Sequence, residues 1–240
     1  MLHSPQYSDI LYGGQDLLTI LPVTSALPLP LSLLCVSGGG VSPVWHQLRG
    51  LSELQAGTSS LAVYTDGSLQ KAGSSGCCSG AGVVVMEGDV SVCEVSIWLG
   101  GWMSSTKAEV YACIAALAAL PLAQPVQIYT DIQGLMLGYK SFVVEANLQP
   151  SWQLLRNWFY QEWGLLCQIV AYCIAPIILS KVSAHTGNLG NEIADHVAKH
   201  GAVAGKDWVV SFHALSDIRF HPVHCDYLPV EGDLYAYLRF

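Results

Sequence analysis

Charge, and positive charge in particular, is what this sequence has least of. Only 12% of its residues are charged, and 18 Asp and Glu residues outnumber 10 Lys and Arg residues, which gives a formal net charge of −8. A chain with this balance lacks the broad basic surface that attracts polyanions. The composition therefore speaks against strong autonomous binding to nucleic acid, and any such partner would need local contacts or tethering.

Paired cysteine motifs are also absent. The eight cysteines are scattered, mostly within apolar segments, and form no Cys-x-x-Cys pair. Together with the absence of a secretory leader, this pattern is typical of reduced core cysteines, so we expect an intracellular protein, cytoplasmic or nuclear. His213, His221, His224 and Cys225 have a spacing that matches no common zinc finger, and we predict ordinary packing and surface roles for them.

The sequence has no uninterrupted apolar run that predicts a membrane span. Residues 17–36 are uncharged, but three prolines interrupt them and no basic residue appears before Arg49, so a linker or a remnant of an upstream domain is expected. Residues 165–180 are also apolar, but Pro176 divides them and Lys181 follows. We interpret that segment as a buried helix end leading into a buried strand, and we expect no membrane partner.

The pattern along the chain predicts three parts. Residues 1–57 show no clear period and contain a Gly-Gly-Gly break, so we predict a poorly structured N-terminal extension or linker. Regular apolar patterns fill residues 58–202, which are long enough for one packed domain. The aromatic segment 203–240 shows no period that we can assign, and we interpret it as a C-terminal extension.

The patterns within residues 58–202 predict both strands and helices. Apolar alternation predicts strands at 61–68, 81–86, 90–99, 126–130 and 177–182. Helical periodicity predicts helices at 106–120, 132–139, 151–165 and 189–200. Because three meander strands are followed by strands that helices connect, we expect a mixed sheet with helices on its faces.

Two of the predicted strands end in the same three residues. Residues 61–68 read LAVYTDGS and residues 126–131 read VQIYTD, so Asp66 and Asp131 stand in the same phase. Asp-Gly is first of all a turn signal, and Asp131 could simply cap the helix that follows it. If the strands lie side by side, however, both carboxylates meet at one sheet edge. That arrangement is costly unless a cation lies between them.

A third acid begins the helix predicted at 106–120. The tetrad TKAE at 106–109 fits a capping box, in which Glu109 would cap its own helix. Glu109 also shares an apolar stripe with Cys113 and Ala116. Because that stripe should face the sheet, the carboxylate would point toward the ends of the two Tyr-Thr-Asp strands.

The segment HTGNLGNEIAD at 185–195 combines a loop histidine with a polar helix face. Asn191 and Asp195 are four residues apart and so share one face of the predicted helix. His185 precedes them on a loop that contains glycine. Asn188 could cap the helix, and a lone loop histidine is usually surface, but the combined eleven-residue pattern is far more specific than either feature alone.

Together these motifs resemble the ribonuclease H family, including its cellular enzymes and the domain attached to retroelement reverse transcriptases. The matching motifs are YTDGS with Asp66, STKAE with Glu109, YTDIQ with Asp131, and HTGNLGNEIAD with His185 and Asp195. The resemblance covers about residues 60–201. It implies an α/β ribonuclease H-like fold, with a mixed five-stranded sheet of three antiparallel and two parallel strands flanked by helices.

The resemblance also implies a reaction: endonucleolytic hydrolysis of the RNA strand of an RNA/DNA hybrid, leaving 5′-phosphate and 3′-hydroxyl ends. The implied ligands of two Mg²⁺ ions, for which Mn²⁺ can substitute, are Asp66, Glu109, Asp131 and Asp195. His185 would move protons or assist product release. The implied substrate contacts are Gly67, Ser68, Ser104, Gln133 and Asn191. The implied partners are the hybrid and an attached or separate reverse transcriptase.

Two features depart from the family pattern. Ile132 replaces the serine of the usual Thr-Asp-Ser-Gln, which keeps the ligand but removes a hydroxyl. The loop from Tyr139 to Trp152 contains only Lys140 as a basic residue, so the basic protrusion of some cellular members is absent. We therefore expect weak hybrid affinity with a steep salt dependence. A catalytically silent or domesticated binding module is the alternative function, and a resolvase or exonuclease of the same fold is a third.

Overall fold

The structure is a computed structural model, and part of the chain is described in it. The described residues are 34–37, 43–52, 54, 61–74, 76–99, 104–121, 123–145, 159–184, 187–204 and 209–212. His185, residues 151–158 of a predicted helix and most of residues 203–240 lie outside them. None of the helices in the described ranges has both the length and the hydropathy that crossing a membrane requires.

The described residues form seven strands, five α-helices and one π-helical turn. In chain order these are β1 (Leu34–Ser37), α1 (Pro43–Ser52), β2 (Leu61–Gln70), β3 (Cys78–Glu87), β4 (Val90–Leu99), α2 (Ser105–Ala119), β5 (Val126–Thr130), α3 (Gln133–Gly138), the π-turn (Tyr139–Val144), α4 (Tyr160–Tyr172), β6 (Ile177–Lys181), α5 (Leu189–Val203) and β7 (Val209–Phe212). All five predicted strands are present, with bounds within three residues of those expected.

A mixed five-stranded sheet forms the centre of the fold. Its strands lie in the order β4-β3-β2-β5-β6. The pairs β2–β3 and β3–β4 are antiparallel, whereas β2–β5 and β5–β6 are parallel. The predicted sheet of three antiparallel and two parallel strands is therefore confirmed. β2 lies in the middle, so the strand that carries Asp66 is supported on both sides.

Helices cover the two faces of the sheet unequally. On β3, Val83 and Val85 pack in the large core with α1, α2, α3 and α4, while Val84 packs in a smaller core with α5. Successive residues of a strand point to opposite faces, so α5 lies across the sheet from the other four described helices. The backbones of α5 and β3 lie close together at Gly82. Any side chain at this position would overlap the Ala194 carbonyl oxygen.

Two expectations about the fourth helix and its following strand are wrong. The helix predicted to end near 165 continues to Tyr172, because Leu166 and Ile169 are buried in the core and the first proline after them is Pro176. The strand β6, predicted to be buried, is half-exposed, with Ile178 facing solvent. Among the described strands it is the last of the sheet and has a neighbour on one side only.

Part of the predicted N-terminal extension belongs to the core. In α1, Leu48 and Leu51 are fully buried in the large core, and the Gln47 side-chain oxygen accepts a hydrogen bond of 3.2 Å from the Ser96 backbone nitrogen on the edge strand β4. The strand β1 pairs antiparallel with β7, which joins two segments distant in sequence. The prediction of poor structure is therefore wrong for residues 43–52, since long-range packing orders them.

We expect Leu51→Ala to lower the free energy of unfolding by about 2–5 kcal/mol, because it removes a fully buried side chain from the core. Chemical denaturation of the full chain measures this loss. Leu137→Ala is the matched control, because Leu137 is 58% exposed, and its effect should stay within about 0.5 kcal/mol. Equal losses in the two variants would contradict the packing of α1 against the domain.

Candidate active site

Three carboxylates from three elements meet at one end of the parallel strands. Asp66 lies in β2, Glu109 in the second turn of α2, and Asp131 directly after β5. One oxygen of each lies within 4.8 Å of the others. Asp66 is 7% exposed and Glu109 3% exposed, while Asp131 is half-buried. The structure thus brings together three of the four acids expected to form the site.

Strand register and one glycine explain why these acids meet. In the parallel pair, Tyr64 of β2 lies opposite Tyr129 of β5, and their rings stack at 4.7 Å between centroids. Asp66 and Asp131 each follow this pair by two residues, so their carboxylates come close to each other. A side chain at Gly67 would overlap the Glu109 backbone nitrogen, so glycine at this position lets the start of α2 approach β2.

The capping roles considered for two of the acids are not observed. Ser104 is the N-cap of α2, and its hydroxyl oxygen accepts from the Lys107 backbone nitrogen at 3.1 Å. The capping box considered at 106–109 is therefore not formed. Ile132 occupies the N-cap position of α3 without a side-chain hydrogen bond, so Asp131 does not cap that helix. Both carboxylates remain directed to the cluster.

Two acids of the cluster have raised pKa values when no cation is bound. Burial raises the pKa of Asp66 to about 6, opposed by a hydrogen bond with Glu109 and supported by the charges of Asp131 and Asp195. Burial also raises the pKa of Glu109 well above its usual value, and the charge of Asp66 adds to this shift. The two buried carboxyls therefore retain a proton at pH values where exposed carboxyls are ionised.

This donor set is suited to a hard divalent cation. Three carboxylates offer only oxygen ligands, the type that Mg²⁺, Mn²⁺ and Ca²⁺ prefer. The Glu109 Oε2 atom is buried and has no hydrogen-bond partner among the described residues, which leaves it available to a cation. Asp66, Glu109 and Asp131 are therefore the residues that could hold a metal ion.

Asp195, the fourth expected ligand, lies outside this group of three. Its Oδ2 atom accepts from the Lys199 ammonium at 2.7 Å, one turn further along α5. Asp195 is nevertheless near enough for its charge to raise the pKa of Asp66. The four-residue spacing of Asp195 and Lys199 could have indicated this ion pair from the sequence alone.

Asn191 contacts one of the acids directly. It is buried in the first turn of α5, and its side-chain nitrogen donates to the Asp131 Oδ2 atom at 3.4 Å. We expected this residue to contact the substrate, and the structure places its amide group on a metal-binding candidate instead. The Asn188 side chain caps α5 by accepting from the Asn191 backbone nitrogen at 3.1 Å, as considered from the sequence.

The other expected substrate contacts differ in their access to solvent. Ser68 is buried, and its carbonyl oxygen accepts from the Ser79 hydroxyl at 3.0 Å. Gly67 is half-buried against α2, and Ser104 is engaged as a helix cap. Gln133 is exposed, two residues after Asp131, and accepts from the Lys181 ammonium at 2.9 Å. Gln133 is thus the most accessible of these described residues.

A buried ion pair behind the site was not predicted. The Lys107 ammonium lies 3.3 Å from the Glu162 carboxylate, and the Tyr111 hydroxyl donates to the same carboxylate at 3.1 Å. Lys107 is only 4% exposed, so this ion pair is shielded from water. The pair ties the first turn of α2 to α4, two residues before Glu109. A lysine at the start of a helix that is mostly apolar was the signal available in the sequence.

The sheet order and the position of the acids define the class of this domain. A central β2, an antiparallel β3–β4 pair on one side, a parallel β5–β6 pair on the other, and acids from β2, α2 and β5 together characterise a ribonuclease H-like domain with a carboxylate site. The RNase H family model matches residues 58–203, more than half of the chain. The chain belongs to the RNase H family, as its motifs predicted.

Individual relatives agree with this assignment. A ribonuclease H from Orientia tsutsugamushi (strain Boryong) is 28% identical over 107 residues, which are 42% of this chain and 60% of that protein. The chain therefore spans about 60% of the length of this relative. Among solved structures, a foamy viral protease-reverse transcriptase in complex with dsDNA aligns with a TM-score of 0.51 and 22% identity, covering 62% of this chain and 97% of the other. This second likeness shows a shared fold.

The raised carboxyl pKa values predict how stability depends on pH. In chelator, folded Asp66 and Glu109 bind a proton that unfolded carboxyls release above about pH 4, so stability should fall as pH rises from about 4 through about 6. Glu109→Gln should reduce this fall and raise the melting temperature at neutral pH. Thermal unfolding in chelator measures both effects. A lower neutral-pH melting temperature for Glu109→Gln would contradict repulsion within the cluster.

Breaking the buried ion pair should be costly. We expect Glu162→Gln to destabilise the fold by about 3–5 kcal/mol, because the almost fully buried Lys107 would lose the carboxylate that lies 3.3 Å from its ammonium. Glu145→Gln is the control, since Glu145 forms an ion pair with the exposed Lys140 at 3.7 Å, and it should cost about 1 kcal/mol or less. Urea denaturation compares the two variants, and similar losses would argue against the buried pair.

Proposed function

We propose that this protein hydrolyses the RNA strand of RNA/DNA hybrids as a metal-dependent endonuclease of retroelement origin. The observation that carries the proposal is that Asp66, Glu109 and Asp131 lie close together at one end of the parallel strands, in a member of the RNase H family. Buried acids that repel each other are expensive to maintain without a function. Cleavage would leave 5′-phosphate and 3′-hydroxyl ends.

The proposed cofactor is a pair of Mg²⁺ ions, with Mn²⁺ as a substitute. When bound, such ions activate water and stabilise the departing oxygen. Asp66, Glu109 and Asp131 would hold these ions, since their ligand atoms lie within 4.8 Å of one another, and the resemblance to the family implies that Asp66 is a shared ligand. Asp195 would contribute to the same centre after release from Lys199, whose ion pair with it is partly exposed and therefore weak.

Other groups of the protein would hold the metal-binding acids in position and transfer protons. Asn191 holds the Asp131 carboxylate by a hydrogen bond and so restricts its rotation. The buried Lys107–Glu162 pair fixes the start of α2, which carries Glu109. We propose His185 as the group that transfers protons near the site, because a neutral imidazole titrates near physiological pH.

Substrate selection would depend on local contacts. A hybrid duplex displays 2′-hydroxyl groups in a shallow minor groove, and polar groups near the acids could distinguish them. Gln133 supports this role best, because it is exposed beside Asp131. Gly67, Ser68, Ser104 and Asn191 stay proposed contacts that would act through backbone groups or after local rearrangement.

Affinity for the hybrid would come partly from a partner. The net charge of −8 leaves little general attraction for a duplex. We propose an attached or separate reverse transcriptase as that partner, in the cytoplasm or nucleus where such hybrids form. The fold that the chain shares with a foamy viral protease-reverse transcriptase supports this choice.

A catalytically silent or domesticated binding module is the second candidate function. One observation favours it: Asp195 is paired with Lys199 and lies outside the group of three close carboxylates. The low basic content favours it as well. Such a module would keep the fold and act through protein contacts instead of cleavage.

We expect the purified chain to cleave the RNA strand of an end-labelled RNA/DNA hybrid with Mg²⁺ or Mn²⁺, and not with chelator. Asp131→Asn should lower the cleavage rate by at least about a hundredfold, because a lost metal ligand removes several kcal/mol of transition-state stabilisation. Gel analysis of the labelled products measures the rate and reports the chemistry of the new ends.

Glu145→Gln serves as the control, because it removes one acidic charge from the π-turn region and should leave the rate unchanged. Chelator-resistant cleavage, or equal cleavage by Asp131→Asn, would rule out the metal-dependent mechanism. Binding of the hybrid without cleavage, in Mn²⁺ at low salt, would establish the silent module instead.

A further inference from the structure

Most lysines of the domain already have an acidic partner. Five lysines of residues 58–203 lie in the described ranges, and three of them form ion pairs: Lys107 with Glu162, Lys140 with Glu145, and Lys199 with Asp195. A nearby carboxylate lowers the net positive charge that a lysine presents to an anion from solution. Within the described part of the chain, Lys71 and Lys181 are the two lysines without a carboxylate partner.

Of these two, Lys181 lies at the strand ends that carry the acids. It is the last residue of β6 and the register partner of Thr130, which directly precedes Asp131. Its ammonium donates to the Gln133 side-chain oxygen at 2.9 Å. Because Gln133 is neutral, this hydrogen bond orients the lysine and leaves its positive charge intact.

The orientation of Lys181 has little value for the fold itself. Lys181 and Gln133 are both exposed, and a hydrogen bond between exposed side chains contributes little to stability. An oriented cation at a site edge therefore remains available for an external anion.

We infer that Lys181, held in place by Gln133, binds a backbone phosphate of the hybrid next to the phosphate being cleaved. This inference rests on the proposed function and adds one residue to its substrate contacts. Lysine acts here as a point charge on a phosphodiester, whose negative charge repeats along the strand. Gln133 then also positions Lys181, in addition to the substrate contact proposed for it above.

The test is the salt dependence of hybrid binding, measured by fluorescence anisotropy with Ca²⁺ in place of Mg²⁺ over a series of KCl concentrations. Lys181→Gln should reduce the slope of log affinity against log salt by about one, because one phosphate contact is lost. Lys181→Arg should keep the slope. Gln133→Ala should keep the slope and weaken binding by less than Lys181→Gln does.

Lys140→Gln is the matched control, because it removes the same charge from an exposed lysine that Glu145 already neutralises. Its slope should equal that of the unsubstituted chain. An unchanged slope for Lys181→Gln, or an equal change for Lys140→Gln, would overturn the assignment of Lys181 and leave the proposed function standing if the chain still cleaves. No hybrid binding by the unsubstituted chain at low salt would overturn both.

Discussion

Repulsion among three carboxylates held within 4.8 Å is the constraint on which the rest of this structure depends. Two of these acids are almost fully buried, so water does little to screen them. The surrounding contacts prevent the acids from separating. The in-register parallel strands fix Asp66 and Asp131, the close approach at Gly67 fixes Glu109, and the buried Lys107–Glu162 pair fixes the helix behind it.

Much of the fold could be predicted because its strands follow local rules. The bounds of β4 and β5 agree fully with their apolar alternation, and the shared Tyr-Thr-Asp endings placed Asp66 and Asp131 together. Local rules did not identify the N-cap of α2, because two nearby residues both offer a side-chain hydroxyl. Ser104 and Thr106 can both cap a helix, and only backbone geometry shows that Ser104 does so. Because Ser104 forms the cap, Glu109 can contribute its carboxylate to the cluster.

The remaining features depend on residues far apart in sequence. The sequence predicted a linker at Leu51 because the residues that pack against it are distant in sequence, in the domain core. Lys107 and Glu162 are separated by more than fifty residues, so no spacing rule connects them. Tertiary contacts, and not local patterns, determine these parts of the site.

The pairing of β1 with β7 has a mechanical consequence. Leu34 lies opposite Phe212 and Ser37 opposite Val209, so the chain enters β1 and leaves β7 at the same end of this two-stranded sheet. Tension between the two outer ends would therefore break the cross-strand hydrogen bonds one after another, as in unzipping, and not all at once, as in shear. A pull on the flanking polypeptide would separate β1 from β7 first. Asp66 and Asp131 would come under load only after these two strands had separated.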